Sequence, residues 1–175
     1  PFGAISTKTH LLQVISAIKE GKEVYAMCAP ATEGQFGKDI SMSAVRVALK
    51  KLGFTDMVEV GLGGDMTAAY EALEWSEARK EGKKMTTSCC PAFINLLKMH
   101  FPDQYHENMS ETLSPMAAVS RYLKAIHPDC VTVFIGPCMA KKSESQEMGI
   151  EGNADYVLSF GEFSSLLRSK DVQLE

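Results

Sequence analysis

Short apolar runs alternate with helical stretches along most of this chain, and that alternation limits the fold more than any other feature. Residues 24–29 and 131–135 are unbroken apolar or β-branched runs, the pattern of strands buried on both faces of a sheet. Residues 54–60 and 155–160 are two further strand candidates. Between these lie stretches with apolar residues at helical spacing. Leu11, Leu12, Ile15 and Ile18 form one stripe over 7–20, with Ser6 or Thr7 as N-cap and Gly21 as the stop. Val45, Ala48, Leu49 and Leu52 form another, starting at 38 or 39 and ending at 52, with Gly53 just past its end. A helix over 65–80 follows Gly61-Leu62-Gly63-Gly64. That run lacks the full dinucleotide-binding spacing and reads as a tight strand-to-helix turn. Helices over 92–100, 114–126 and 161–170 complete the series, with a polar connector at 103–111 and a loop at 145–153. Ser114-Pro115 supplies an N-cap followed by proline at the first helical position. The alternation predicts an α/β fold: a parallel sheet of four to five short strands with helices on both faces.

A chain of 175 residues with 45% hydrophobic content can bury one real core. A net charge of -4 argues against a nucleic-acid surface. No apolar run approaches the roughly 18 residues that span a bilayer, so no membrane partner is expected. Five cysteines, two of them adjacent, fit a reducing, cytoplasmic compartment better than a disulfide framework.

Three of those cysteines fall in two loop-forming blocks. Thr87-Ser88-Cys89-Cys90-Pro91 follows the strand-like residues 85–87, and Gly136-Pro137-Cys138 follows the run 131–135. Ligand sites in open α/β sheets collect at the carboxyl ends of parallel strands. Two such loops facing one crevice would offer thiolates, with Lys141 and Lys142 close behind, to a soft, negatively charged metal centre. Zinc or a disulfide is the plainer reading of vicinal cysteines, though two cysteines do not complete a structural zinc site. Cys28 lies within a strand and reads as a core residue. His10, His100 and His106 have no partners at ligand spacing and read as solvated or cap residues. Glu71 and Glu74 lie three apart and share a helix face. On their own they read as a solvated acidic face; the family resemblance set out below adds the reading of a proton relay, in which burial raises a carboxyl pKa until the group can both accept and donate. Trp75 beside them reads as a packing residue.

Thr87-Ser88-Cys89-Cys90-Pro91 and Pro137-Cys138-Met139-Ala140-Lys141-Lys142-Ser143-Glu144 resemble the first two of three signature motifs of the [FeFe]-hydrogenase catalytic domain. Gly64-Asp65-Met66-Thr67 with Glu71 and Glu74, and Ala29-Pro30-Ala31 with the later 44–48 segment, add two more matches in the family's order. The resemblance runs over essentially the whole chain. It implies an oxidoreductase that reversibly reduces protons to H2 at an H-cluster, a [4Fe-4S] cubane joined through a cysteine sulfur to a two-iron unit bearing CO and cyanide. Carried over by position, Cys90 and Cys138 would be two cubane ligands. Cys89 would pass protons, and Glu71, Ser110 and Glu74 would continue the route outward. Lys141 would hydrogen-bond a cyanide and Glu144 would steady that loop, with Pro30, Ala31, Pro115 and Pro137 beside the cofactor. The implied partners are a ferredoxin-type electron-transfer domain or protein and hydrogenase maturation proteins.

The third motif is absent from these residues, and residues 1–5 resemble the tail of a ferredoxin-type segment. The expectation is therefore a fragment: 1–22 as a helical lead-in and 23–175 as a partial H-cluster domain, one lobe of two. Cys90 and Cys138 should lie near one another at one sheet edge, with no cofactor bound to this stretch alone. Gly136 stands where proton-reducing members usually carry Met, Ala31 replaces a usual Ser, Met116 a usual Gln and Phe93 a common Trp. Gly136, Ala31 and Met116 would line the two-iron pocket in the family. Those departures point toward a sensory or regulatory module as the alternative, with a cubane-only relative as a third reading.

Overall fold

The computed structural model describes residues 7–147 and 149–174. The ferredoxin-like match at 1–5, and Ser6, lie outside them. The elements run α1 (Leu11–Lys19), β1 (Val24–Cys28), a single 3₁₀ turn (Pro30–Thr32), α2 (Met42–Leu52), β2 (Asp56–Glu59), α3 (Gly61–Lys80), α4 (Pro91–His100), α5 (Pro102–Asn108), α6 (Pro115–Ile126), β3 (Val131–Gly136), α7 (Ala140–Glu144), β4 (Tyr156–Ser159) and α8 (Phe160–Ser169). The four strands form one parallel sheet in the order β2-β1-β3-β4.

Alternate side chains of each strand feed opposite cores, as a two-sided sheet requires. Val24, Ala26 and Cys28 of β1 join Val133, Ile135 and Leu158 against α1, α2 and α8. Tyr25, Met27 and Ala29 join Phe134 and Val157 against Met116, Val119 and Leu123 of α6. From β1 the chain moves outward to β2 on one side, then returns to β3 on the other. The strand order therefore reverses between β1 and β3, and such a reversal opens a crevice at the strands' carboxyl ends. Pro30-Ala31 leaves β1 there and Pro137-Cys138 leaves β3 there, with the Ala29 N–H donating to the Ile135 carbonyl at 2.9 Å between them.

Several local expectations need correcting. Helix α1 begins at Leu11, not Thr7, because His10 is drawn into the core. Gly61-Leu62-Gly63-Gly64 is the first turn of α3 rather than a turn before it. Packing outweighs the poor helix propensity of glycine there. A Cβ on Gly63 would lie 2.2 Å from the Pro115 carbonyl oxygen and 2.7 Å from Val119 Cγ2, so glycine is what lets α3 and α6 touch. The polar connector after residue 101 holds a two-turn helix, α5. Residues 85–87 do not join the sheet; Thr86 makes only an isolated parallel bridge to Met109. Trp75 is half exposed, with the Arg79 guanidinium 5.3 Å over its ring, and does not pack into the core. No helix among the described residues is long and apolar enough to cross a membrane.

Candidate metal centre

Cys138 sits one residue before Met139, the N-cap of the short helix α7, and Cys90 is the N-cap of α4. Pro91 opens α4 at its first position, where a missing N–H costs nothing. Helices α4 and α7 pack on one another. Side chains complete the joint: the Lys141 ammonium donates to the Cys89 carbonyl at 3.3 Å and to Glu144 Oε2 at 2.6 Å. The two cysteine blocks therefore meet over the carboxyl end of β3, near the middle of the sheet rather than at its edge. All five cysteines are free thiols. Cys90 is exposed and Cys89 and Cys138 are half-buried, whereas Cys28 is enclosed and burial pushes its thiol up to about 12. Cys28 is thus the inert core residue the sequence suggests.

Lys141 and Glu144 are both buried, against the usual habit of a lysine pair. Glu144 also accepts from the Ser114 hydroxyl, and Ser114 caps α6 by accepting the Ala117 N–H. Glu144 balances the charge of Lys141 within the protein. What remains is one of its three N–H donors, since two are used among the described residues. That donor, beside free half-buried thiols, fits an anionic thiolate-held group. Two cysteines are only part of a ligand set. Among the described residues no group of three or more His, Cys, Asp or Glu side chains is placed to hold a metal ion.

Behind the thiols lies a run of polar side chains. Glu71 Oε1 accepts from the Thr87 hydroxyl at 2.7 Å and the Ser88 N–H at 3.1 Å, and Thr87 Oγ1 in turn accepts the Cys89 N–H at 3.4 Å. Ser110 is buried and donates to Glu74 Oε2 at 2.6 Å. The Ser110 N–H donates to the Thr86 carbonyl, so the Ser110–Glu74 pair stands beside the segment that carries Glu71's partners. A cleft of about 470 Å³, lined in part by Ser88, Ser110, Thr112, Ser114 and Glu144, opens along this path. Burial pushes the Glu74 carboxyl up, but hydrogen bonds from Ser110, the Glu111 N–H and Thr112 outweigh it and hold the group below its ordinary value. This reverses the expectation that desolvation would raise it.

Around the notch, Pro30, Ala31 and Pro137 are exposed, and Pro115 is partly covered. Met116 is fully buried in the core that also holds Ala29 and Phe134. A Cβ on Gly136 would meet the Phe134 ring at 2.7 Å and Ala29 Cβ at 3.0 Å, so the ring fills the space a side chain there would take. Two buried polar groups escape the local sequence. His10 accepts the Val157 N–H through Nδ1 at 3.0 Å, and Lys142 pairs with Glu162 at 2.8 Å. Neither is the solvated residue its neighbours in the chain suggest, and only the Ser159-x-x-Glu162 capping pattern offers a clue to the second.

Residues 22–175 match the family described as iron only hydrogenase large subunit, C-terminal domain. Iron hydrogenase 1 from Clostridium pasteurianum is 25% identical over 194 aligned positions, which cover 98% of this chain and 34% of that protein. The chain thus spans about a third of the length of this relative. The matched region takes in both cysteine loops, the buried lysine and the polar run behind them, and the chain belongs to this family of iron-only hydrogenase domains.

Proposed function

We propose that this chain forms one side of the H-cluster site of an iron hydrogenase that reversibly reduces protons to H2. The observation that carries the reading is the bond from the Lys141 ammonium to the Cys89 carbonyl, which joins both cysteine loops into one thiol-lined notch. When bound, the iron–sulfur group supplies the low-valent metal chemistry that protein side chains lack. Cys90 and Cys138 serve as two of the cubane's thiolate ligands, and the others come from outside these residues. Pro30, Ala31, Pro115 and Pro137 wall the pocket. Lys141 gives its remaining N–H to an anionic ligand, and Glu144 holds Lys141 in place. The Cys89 thiol exchanges protons with Glu71, and Ser110 passes them to Glu74. Glu74, held below its ordinary value by its three hydrogen-bond donors, ends the route as a carboxylate. A ferredoxin-type domain or protein delivers the electrons, and hydrogenase maturation proteins install the two-iron unit. The setting is a reducing, cytoplasmic one, which keeps the thiols free.

A second reading, a sensory module of the same family, draws on the pocket's apolar side. Phe134 leaves no room for a side chain at Gly136, and Met116 brings no hydrogen-bond donor. The intact protein, matured with its two-iron unit, separates the readings. Hydrogen evolution from a reduced ferredoxin-type donor, together with infrared bands from CO and cyanide, is the expected result. The bands with only slow turnover would favour the sensor. A cubane without those bands would leave a simple iron–sulfur relative and contradict both.

A further inference from the structure

Lys142 takes no part in the proposed chemistry, yet it is one of the most enclosed charges in the chain, 7% exposed. Its ammonium donates to Glu162 Oε1 at 2.8 Å and to the Lys8 carbonyl at 3.0 Å. One side chain thus ties three segments together: α7, the start of α8 and the lead-in before α1. Glu162 is itself fixed, because it forms a capping box with Ser159. The Ser159 N–H donates to its Oε2 at 2.7 Å, and the Glu162 N–H donates to the Ser159 hydroxyl at 3.2 Å. Ser159 pairs in register with Gly136, two residues before Cys138. Burial pushes the Glu162 carboxyl up, but Lys142 and the Ser159 N–H outweigh it and bring it to about 2. Along the same lead-in, His10 takes up the Val157 N–H of the edge strand, and its Nε2 lies 3.3 Å from the Gln146 amide, just beyond α7.

Helix α7 has five residues, far fewer than a helix needs to hold itself in water. Its position must come from tertiary anchors. Consecutive residues point about 100° apart around a helix. Lys141 and Lys142 can therefore reach different neighbours, one the Cys89 loop and the other Glu162 and Lys8. We propose that Lys142 is a positioning residue: held by Glu162 and the Lys8 carbonyl, it anchors α7 to the lead-in and to the end of β4, and so sets where Lys141 and Cys138 sit. The link to cofactor chemistry, though not the anchor itself, rests on the hydrogenase reading above.

The test uses the intact protein before metal loading. Iodoacetamide labelling of each cysteine is followed by peptide mass spectrometry in Lys142→Met, Glu162→Gln and the unaltered protein. Lys142→Met is expected to speed labelling of Cys138 by roughly tenfold through local opening of α7. Glu162→Gln keeps an amide oxygen for the lysine and should give a smaller increase. Cys28, enclosed at the end of β1, should stay protected throughout. In the matured protein, Lys142→Met should also shift the cyanide stretching bands, since Lys141 moves. Unchanged Cys138 labelling in both variants overturns the proposal. So does equal exposure of Cys28, which would make Lys142 a support for the whole core. Missing CO and cyanide bands in the unaltered protein would count against the hydrogenase reading alone, while the labelling result stands.

Discussion

Cys89→Ser in the intact, matured protein is expected to lower hydrogen turnover by roughly 10²–10⁴-fold, the usual worth of a positioned acid–base group. Iron content should not change. The substitution leaves the loop's backbone contacts in place: the Cys89 N–H still donates to Thr87, the Thr87 hydroxyl still donates to Glu71, and the Cys89 carbonyl still receives Lys141. What changes is the acid. A free thiol ionises near pH 8.5, whereas a serine hydroxyl does not ionise in the accessible range. Hydrogen evolution and iron assays on the same samples check this. Turnover equal to that of the unaltered protein would mean that protons bypass Cys89.

Glu144→Ala is expected to destabilise the folded protein by about 3–5 kcal/mol, the cost of stranding one partner of a buried ion pair. Lys141 would stay buried with only the Cys89 carbonyl for company, and Ser114 would lose its acceptor. The damage should spread, because Ser114 also caps α6 and the Glu144 carbonyl receives the Asn153 amide at 2.7 Å. Glu144→Gln retains an acceptor for Ser114 and should cost less. Urea unfolding of the intact protein, compared at equal metal loading, measures both. A cost below about 1 kcal/mol for Glu144→Ala would place the pair in the class of exposed salt bridges.

Much of the sheet was legible from the chain itself. Residues 24–28 and 131–136 are buried on both faces, so they advertise themselves as continuous apolar runs. Gly53 takes a left-handed φ of 102°, and Ser114-Pro115 opens α6, as local chemistry dictates. The features that escaped are those set by distant partners. Lys142 finds the Lys8 carbonyl 134 residues away and His10 finds Gln146 136 residues away, so no pattern among the residues flanking either one marks it as buried. Helix α5 buries no residue, so it has no apolar stripe to read. Glu74 illustrates a different gap. Its burial could be guessed from the sequence, but the donors that lower its pKa come from residues 36 to 38 positions on. The site shows the same division: its residue types were readable, whereas the neutralising Glu144–Lys141 pairing and the Phe134 ring over Gly136 needed the fold.

Cys90 and Cys138, carried on loops that meet where α4 packs on α7, are expected to hold a single iron–sulfur group. The most direct measurement is iron content with the electron paramagnetic resonance signal of the reduced cubane, in intact protein carrying Cys90→Ser, Cys138→Ser or, as a control, Cys28→Ala. Either of the first two is expected to lose the cubane signal and most of its iron, and the control to keep both. Full iron and an unaltered signal in Cys90→Ser and in Cys138→Ser would contradict this expectation.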